Sequence, residues 1–282
     1  MLCGLPLCEY DHLDPYSQVH EHDPDNLVLL CPGHHAEKTK GFLSYEAVAE
    51  ANENPRNRQT GESFPFGLRY GGGHCEAIIG GSRHVWPDLE DGVITMPLLV
   101  DDTPIVAFRA EDERLLLTVQ LFNEDNELLV QVVDNELVFS ADQWDVEFVG
   151  RELTVRHAPR EIFVAIKFDP PGRVVLERAH IWRNGVELDI TPQRTLIVNN
   201  NCVIAGGSAE RCQVGLGVGD LPEGLGGAIF MDCGPRAPYD ENAGTEDRVI
   251  KIAVEPQDYN HDALIQDFKN FLDDASADDF NI

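Results

Sequence analysis

The sequence predicts an α+β protein in which a small stapled module precedes a mainly β sandwich or roll, with a helix at the C-terminal end. Three observations predict it. Residues 1 to about 55 are dense in His, Cys, Asp and Asn and lack long apolar runs, so this segment cannot build much of a hydrophobic core alone and needs a staple. From about Val93 to Val254, short runs of β-branched and aromatic residues are punctuated by turn signals with no long helical pattern between them, as in antiparallel sheets. Towards the end, Leu264, Ile265, Phe268, Phe271 and Leu272 fall on one helical face ahead of an acidic tail, which predicts an amphipathic helix docked on the sheet.

Taken in order, the chain divides into a module over 1–55, a linker over 56–73, a β-rich region over 74–256, and a helix and tail over 257–282. Ser44 can cap a short helix that carries Ala47, Val48 and Ala51 on one side and ends at Pro55. The linker is rich in Asn, Arg, Gly and Pro and closes on Gly71-Gly72-Gly73. In the β-rich region, Leu115, Leu117, Val119 and Leu121 alternate with other residues, as do Ile162, Val164, Ile166 and Phe168, the pattern of half-buried strands. Turns are expected at Asn123 to Asn126, at Pro170-Pro171-Gly172 and at Asn184-Gly185. Residues 199–227, rich in Asn and Gly, fit either extended loops or a solenoid-like edge. Trp86, Trp144 and Trp182 are expected in the core.

No apolar run approaches the ~20 residues that a membrane span requires, so no membrane partner is expected. Met1-Leu2-Cys3 leads straight into motif residues without the regions of a secretory signal, and a cytoplasmic location is the expectation. The formal charge is -29, with only five lysines, the wrong sign for holding a polyanion. Two accounts stand side by side: a halophilic host, whose salt screens phosphate repulsion, or an ordinary acidic protein. A local basic stretch carrying Arg56, Arg58, Arg69 and Arg83 counts for more than the total.

Seven cysteines are an odd number, and Cys3, Cys8 and Cys31 lie near histidines, which suggests a metal site rather than a disulfide framework. Cys75, Cys202, Cys212 and Cys233 read as small buried hydrophobes. Cys3 and Cys8 form a Cys-x4-Cys pair and Cys31 and His34 a Cys-x2-His pair; four such ligands on two knuckles suit a closed tetrahedral zinc site. Between the knuckles lie Tyr10-Asp11-His12-Leu13-Asp14-Pro15 and Asn26, and His35 follows the second. His12, Asn26 and His35 thus give H-x13-N-x8-H.

Over residues 3 to 55 this pattern resembles the HNH endonuclease family, with its ββα-metal fold: a hairpin bearing the first motif residues and a helix bearing the last. The resemblance implies hydrolysis of nucleic acid phosphodiesters, DNA ahead of RNA, in restriction or another defence. It makes His12 the general base, Asp11 and His35 the holders of a divalent ion (Mg2+, with Mn2+ as substitute), and Asn26 a supporting residue that ties the loop to the hairpin. Imidazole is suited to proton transfer near neutral pH, and a cation to a phosphoryl transition state. The family's second knuckle more often ends in cysteine; here it ends in His34, so His34 and His35 could exchange duties, although spacing favours His34 on zinc. The motif begins at residue 3 with no strand or basic arm ahead of it, so a weaker grip on DNA is expected unless the true start lies upstream.

Lys38 and Lys40, beyond His35, together with Arg56 and Arg58, are candidate phosphate contacts. His20 and His22 flank an acidic loop, and a second-metal or substrate role is set against a solvated one. His74, His84, His157, His180 and His261 have no ligand-like spacing, and no role is assigned to them. Two further functional readings remain open: a non-catalytic zinc module that binds nucleic acid or protein, and a β-rich ligand sensor or homo-oligomerisation scaffold with the nuclease as its output.

Overall fold

A computed structural model describes residues 2–20, 23–140, 145–158, 160–241, 243 and 245–252. The helix expected over 257–282 lies outside the described residues, as do His22, Trp144 and His261. The chain is mixed α+β and mostly β.

The N-terminal part runs β1 (Glu9–His12), α1 (Tyr16–Val19), β2 (Leu27–Leu30), α2 (Pro32–Thr39), α3 (Tyr45–Glu53) and α4 (Arg56–Thr60). β1 and β2 pair antiparallel, with Glu9 opposite Leu30 and His12 opposite Leu27. Pro32 at the first position of α2 and the Cys31 thiol, which accepts from His34 N, start that helix. Ser44 caps α3 as its sequence suggests, Oγ accepting from Ala47 N at 3.2 Å. The apolar centre is small: Val28, Leu30 and Val48, with Leu2, Leu13, Leu43 and Ala51 partly buried around them. So few side chains supply little burial energy.

The remainder comprises β3 (Phe66–Gly67), β4 (Cys75–Ile79), β5 (Ser82–Trp86), β6 (Ile94–Val100), β7 (Thr103–Glu111), β8 (Arg114–Phe122), β9 (Leu128–Val133), β10 (Glu136–Phe139), β11 (Asp145–Val149), β12 (Glu152–Ala158), β13 (Glu161–Asp169), β14 (Arg173–Arg183), β15 (Val186–Thr191), β16 (Arg194–Ile197), β17 (Cys202–Ile204), β18 (Ser208–Glu210), β19 (Val214–Val218) and β20 (Gly227–Met231). Among the described residues one sheet is ordered β20-β19-β6-β7-β8-β9-β10-β3. The other runs β11 to β17, with β4 lying parallel to the first half of β14, β5 antiparallel to β4, and β18 parallel to β5. Both sheets feed one core, which takes Phe108, Leu117, Val119 and Val132 from the first and Val164, Ile166, Phe168, Leu176 and Ile181 from the second.

Asn184 and Gly185 take φ of 50° and 73° between β14 and β15, the left-handed pair that a two-residue hairpin demands. Residues 199–227 resolve into three strands rather than a solenoid-like edge: β17 and β18 are short, while β19 is fully buried between β6 and β20. β19 carries glycine because its neighbours press close. A Cβ at Gly217 would meet Leu221 at 2.7 Å and Phe230 at 2.9 Å.

Cys75 and Cys233 are buried and Cys202 and Cys212 half-buried, all as free thiols; burial pushes the Cys75 thiol up to about 12. Trp86 and Trp182 pack partly buried against the core. Residues 56–73 contain α4 and β3, and Leu68 and Tyr70 belong to the main core. Phe64 N donates to Gly4 O at 2.7 Å, and Ser63 exchanges hydrogen bonds with the Phe139 backbone. Leu7 packs on the same core, so the module and the β body meet along this segment. No helix among the described residues is long and apolar enough to cross a membrane.

Candidate metal and catalytic centre

The Cys3 and Cys31 thiols and a His34 ring nitrogen lie within 4.8 Å of one another. Cys31 Sγ and His34 Nδ1 are 3.1 Å apart. The three donors form a group that could hold a metal ion. Cys8, the fourth expected ligand, points its thiol at Leu5 O, 3.3 Å away. Burial raises the thiol pKa of Cys3 and of Cys8; a buried thiol stays neutral until a cation compensates its charge. Gly4, at φ 72°, makes the turn between Cys3 and Leu5.

On the other side of α2, His35 Nε2 lies 3.8 Å from Asp11 Oδ1. His35 Nδ1 is 2.6 Å from Glu9 Oε2. A carboxylate only accepts, so Nδ1 donates to Glu9 and Nε2 is left facing Asp11. Glu9 is a further residue of the site, and strand periodicity is the signal for it: residues two apart on a strand share a face, and Glu9 precedes Asp11 by two. Lys38 sits one helical turn beyond His35. Its ammonium donates to Asp11 Oδ2 at 2.6 Å and also to the His12 carbonyl oxygen. Only 14% of its side chain is exposed, so Lys38 faces inward, whereas Lys40 is exposed.

Glu9 and Asp11, two apart on β1, both meet α2, through His35 and Lys38. His12 is the last residue of the strand, its N–H donates to Asp11 Oδ1 at 2.9 Å, and its ring lies 5.4 Å from that of Tyr16. Just beyond, the Asn26 amide clamps the chain: Oδ1 accepts from Asp14 N at 2.8 Å and Nδ2 donates to Asp14 O at 3.2 Å. Leu13 N donates to Asn26 O at 2.7 Å. Arg56 and Arg58 are exposed on α4; the Arg56 guanidinium lies 5.9 Å from the Phe64 ring centre, and Arg83 is paired with Glu76. His20 closes α1 at φ 53°, with its ring edge-on to Tyr16.

The family comparison covers this hairpin and the helix that follows it. Residues 2–41 match the HNH endonuclease family. The HNH family carries nuclease-type function, metal binding and nucleic-acid binding. No curated protein and no solved structure matches the chain.

Proposed function

We propose that the HNH module is the catalytic part of a metal-dependent endonuclease that hydrolyses phosphodiester bonds in DNA, in restriction or another defence. One observation carries the reading: His35 Nε2 is aimed at Asp11 Oδ1 across 3.8 Å while Glu9 fixes its other nitrogen. A histidine whose far nitrogen is held by a carboxylate is the usual form of a metal-ligating imidazole. Asp11 and His35 would hold the divalent ion, Mg2+ or Mn2+, which supplies charge neutralisation at the phosphoryl oxygens and at the leaving oxygen. The donor set, one carboxylate and one neutral imidazole with room for water and phosphate ligands, suits such an ion.

The chain's own residues then divide the work. His12, at the end of β1, accepts the proton of the attacking water, with the scissile phosphate lying across the strand end between His12 and the Asp11–His35 pair. Asn26 holds the Leu13-Asp14 turn and with it the end of β1. Lys38 keeps one oxygen of Asp11 occupied and so turns the other towards His35. Cys3, Cys31 and His34, with Cys8 as fourth ligand, would hold a structural zinc that replaces the core that Val28, Leu30 and Val48 are too few to provide. Lys40, Arg56 and Arg58 supply exposed positive charge for phosphates.

A second reading has one observation in its favour. Lys38 already neutralises Asp11, as expected of a zinc module that binds nucleic acid without cutting it. Nicking of supercoiled plasmid by the full chain, with Mg2+ or Mn2+ and across salt concentrations, separates the two. The catalytic reading expects nicking that disappears in His12→Ala while zinc content and melting temperature stay unchanged. Nicking that survives in His12→Ala overturns the general-base assignment, and a zinc-loaded, folded wild type that never nicks favours the second reading.

A further inference from the structure

The two oxygens of Asp11 stand in unequal surroundings, and Lys38 makes them so. Its ammonium holds Oδ2 at 2.6 Å and also donates to the His12 carbonyl oxygen. Only 14% of the Lys38 side chain is exposed, so two anchors on β1 and the packing around α2 keep the charge in place. The other oxygen, Oδ1, accepts from His12 N at 2.9 Å and faces His35 Nε2 across 3.8 Å. Oδ1 is thus open on the His35 side, whereas Oδ2 has a full positive charge against it.

To grip Asp11 by both oxygens, a divalent ion would have to share Oδ2 with that ammonium. Like charges a few ångströms apart repel, and more strongly where little water lies between them. Asp11 is therefore limited to one oxygen, and the limit bears unequally on different ions. Mg2+ is small, demands near-octahedral geometry, keeps several of its waters and is usually held by one or two carboxylates. Ca2+ takes about six to eight oxygens and often draws two of them from a single carboxylate.

We infer that Lys38 sets the ion preference of this centre: by holding Oδ2 it restricts Asp11 to one oxygen and so favours Mg2+ over Ca2+. The inference rests on the proposed function, in which Asp11 and His35 hold the divalent ion, and adds to it which ion the pair accepts and why. Lys38 acts through Asp11 and is a positioning residue. The contact that counts against an ion at Asp11 thereby becomes the means of choosing one, and it also weakens the hold on every divalent ion.

The test reads ion binding and not cleavage, on the zinc-loaded full chain. Mn2+ at the centre is the part of the bound-ion EPR signal that Asp11→Asn removes, and it is displaced with Mg2+ or Ca2+. In the wild type, Ca2+ should displace it no more effectively than Mg2+ does. Lys38→Met removes the ammonium and should tighten Mg2+ about tenfold, as the loss of one neighbouring positive charge allows. Ca2+ should tighten about a hundredfold, since both oxygens of Asp11 are then open to it. Lys38→Gln, also uncharged, should shift the preference in the same direction and takes the place of Lys38→Met if that variant does not fold, with zinc content and melting temperature as the checks. The inference is overturned if Ca2+ already displaces Mn2+ more effectively than Mg2+ in the wild type, if the uncharged variants change both affinities by the same factor, or if they weaken both. An EPR signal that Asp11→Asn leaves unchanged overturns the metal assignment itself and this inference with it. A signal lost in Asp11→Asn, with the preference unmoved in the Lys38 variants, overturns the role of Lys38 alone.

Discussion

Acidification should destabilise the wild-type protein through His84 by an amount that the geometry fixes. The imidazole titrates at 6.5 in the unfolded chain and at about 4 in the folded one, because burial disfavours the charged ring. The unfolded chain therefore binds this proton first as pH falls. The stabilising contribution is complete above the unfolded value, and is lost as pH falls from 6.5 towards 4. Each pH unit in that window is worth about 1.4 kcal/mol, so at about pH 5 the loss is about 2 kcal/mol. For a chain of this size that is a fall of roughly 4–8 °C in Tm. Because many carboxylates titrate nearby, the quantity to measure is the difference between wild type and His84→Phe in urea unfolding at about pH 7.5 and about pH 5. The variant should lose about 2 kcal/mol less than the wild type over this interval. Equal losses, or a His84 resonance that titrates near 6.5 in the folded protein, would refute the buried neutral imidazole.

Two further outcomes are expected. Glu9→Ala frees His35 Nδ1 and should weaken Mn2+ binding about 10- to 100-fold by calorimetry, with zinc content unchanged as the control for folding. Arg183 is fully buried, with its guanidinium on both oxygens of Glu246, on Thr103 Oγ1 and 4.7 Å from the Phe122 ring centre. Arg183→Met should cost about 3 kcal/mol in urea unfolding by leaving Glu246 with Lys251 alone; adding Glu246→Gln should recover much of that loss, and a double variant no more stable than the single would show that the pair does not act as one unit.

What could be read in the sequence was local. Ser44 and Pro55 bracket a helix, Asn184-Gly185 makes a hairpin, and the alternation in 115–121 and 162–168 gives strands, because each depends on neighbours a few residues away. The Cys31-x2-His34 spacing is likewise a property of one helical turn, and it brings two donors to 3.1 Å. What escaped was set by distant pairing. The Glu9–His35 contact spans 26 residues, and the Lys38–Asp11 contact turns an expected phosphate ligand inward across 27. The sequence pattern could not distinguish loop from buried strand over 214–218, because glycines that look like flexibility there answer to side chains of other strands. His84 escaped for the same reason: its partners, Thr95 and the Cys212 carbonyl, come from two other parts of the chain.

The central strand β6 is zipped on one side to its neighbour β7 and on the other to β19. Thr95 and Cys212, which meet there, are 117 residues apart, and Gln120 bonds to Ile250 across 130. On the ribosome, the amino-terminal hairpin and helix emerge with all their partners, whereas β6 must wait with an open edge until more than a hundred further residues have been made. Non-local pairings of this kind close slowly and leave strand edges open to other chains in the meantime. Production of this protein should be most vulnerable to aggregation in that interval, between completion of the first domain-sized stretch and the arrival of β19.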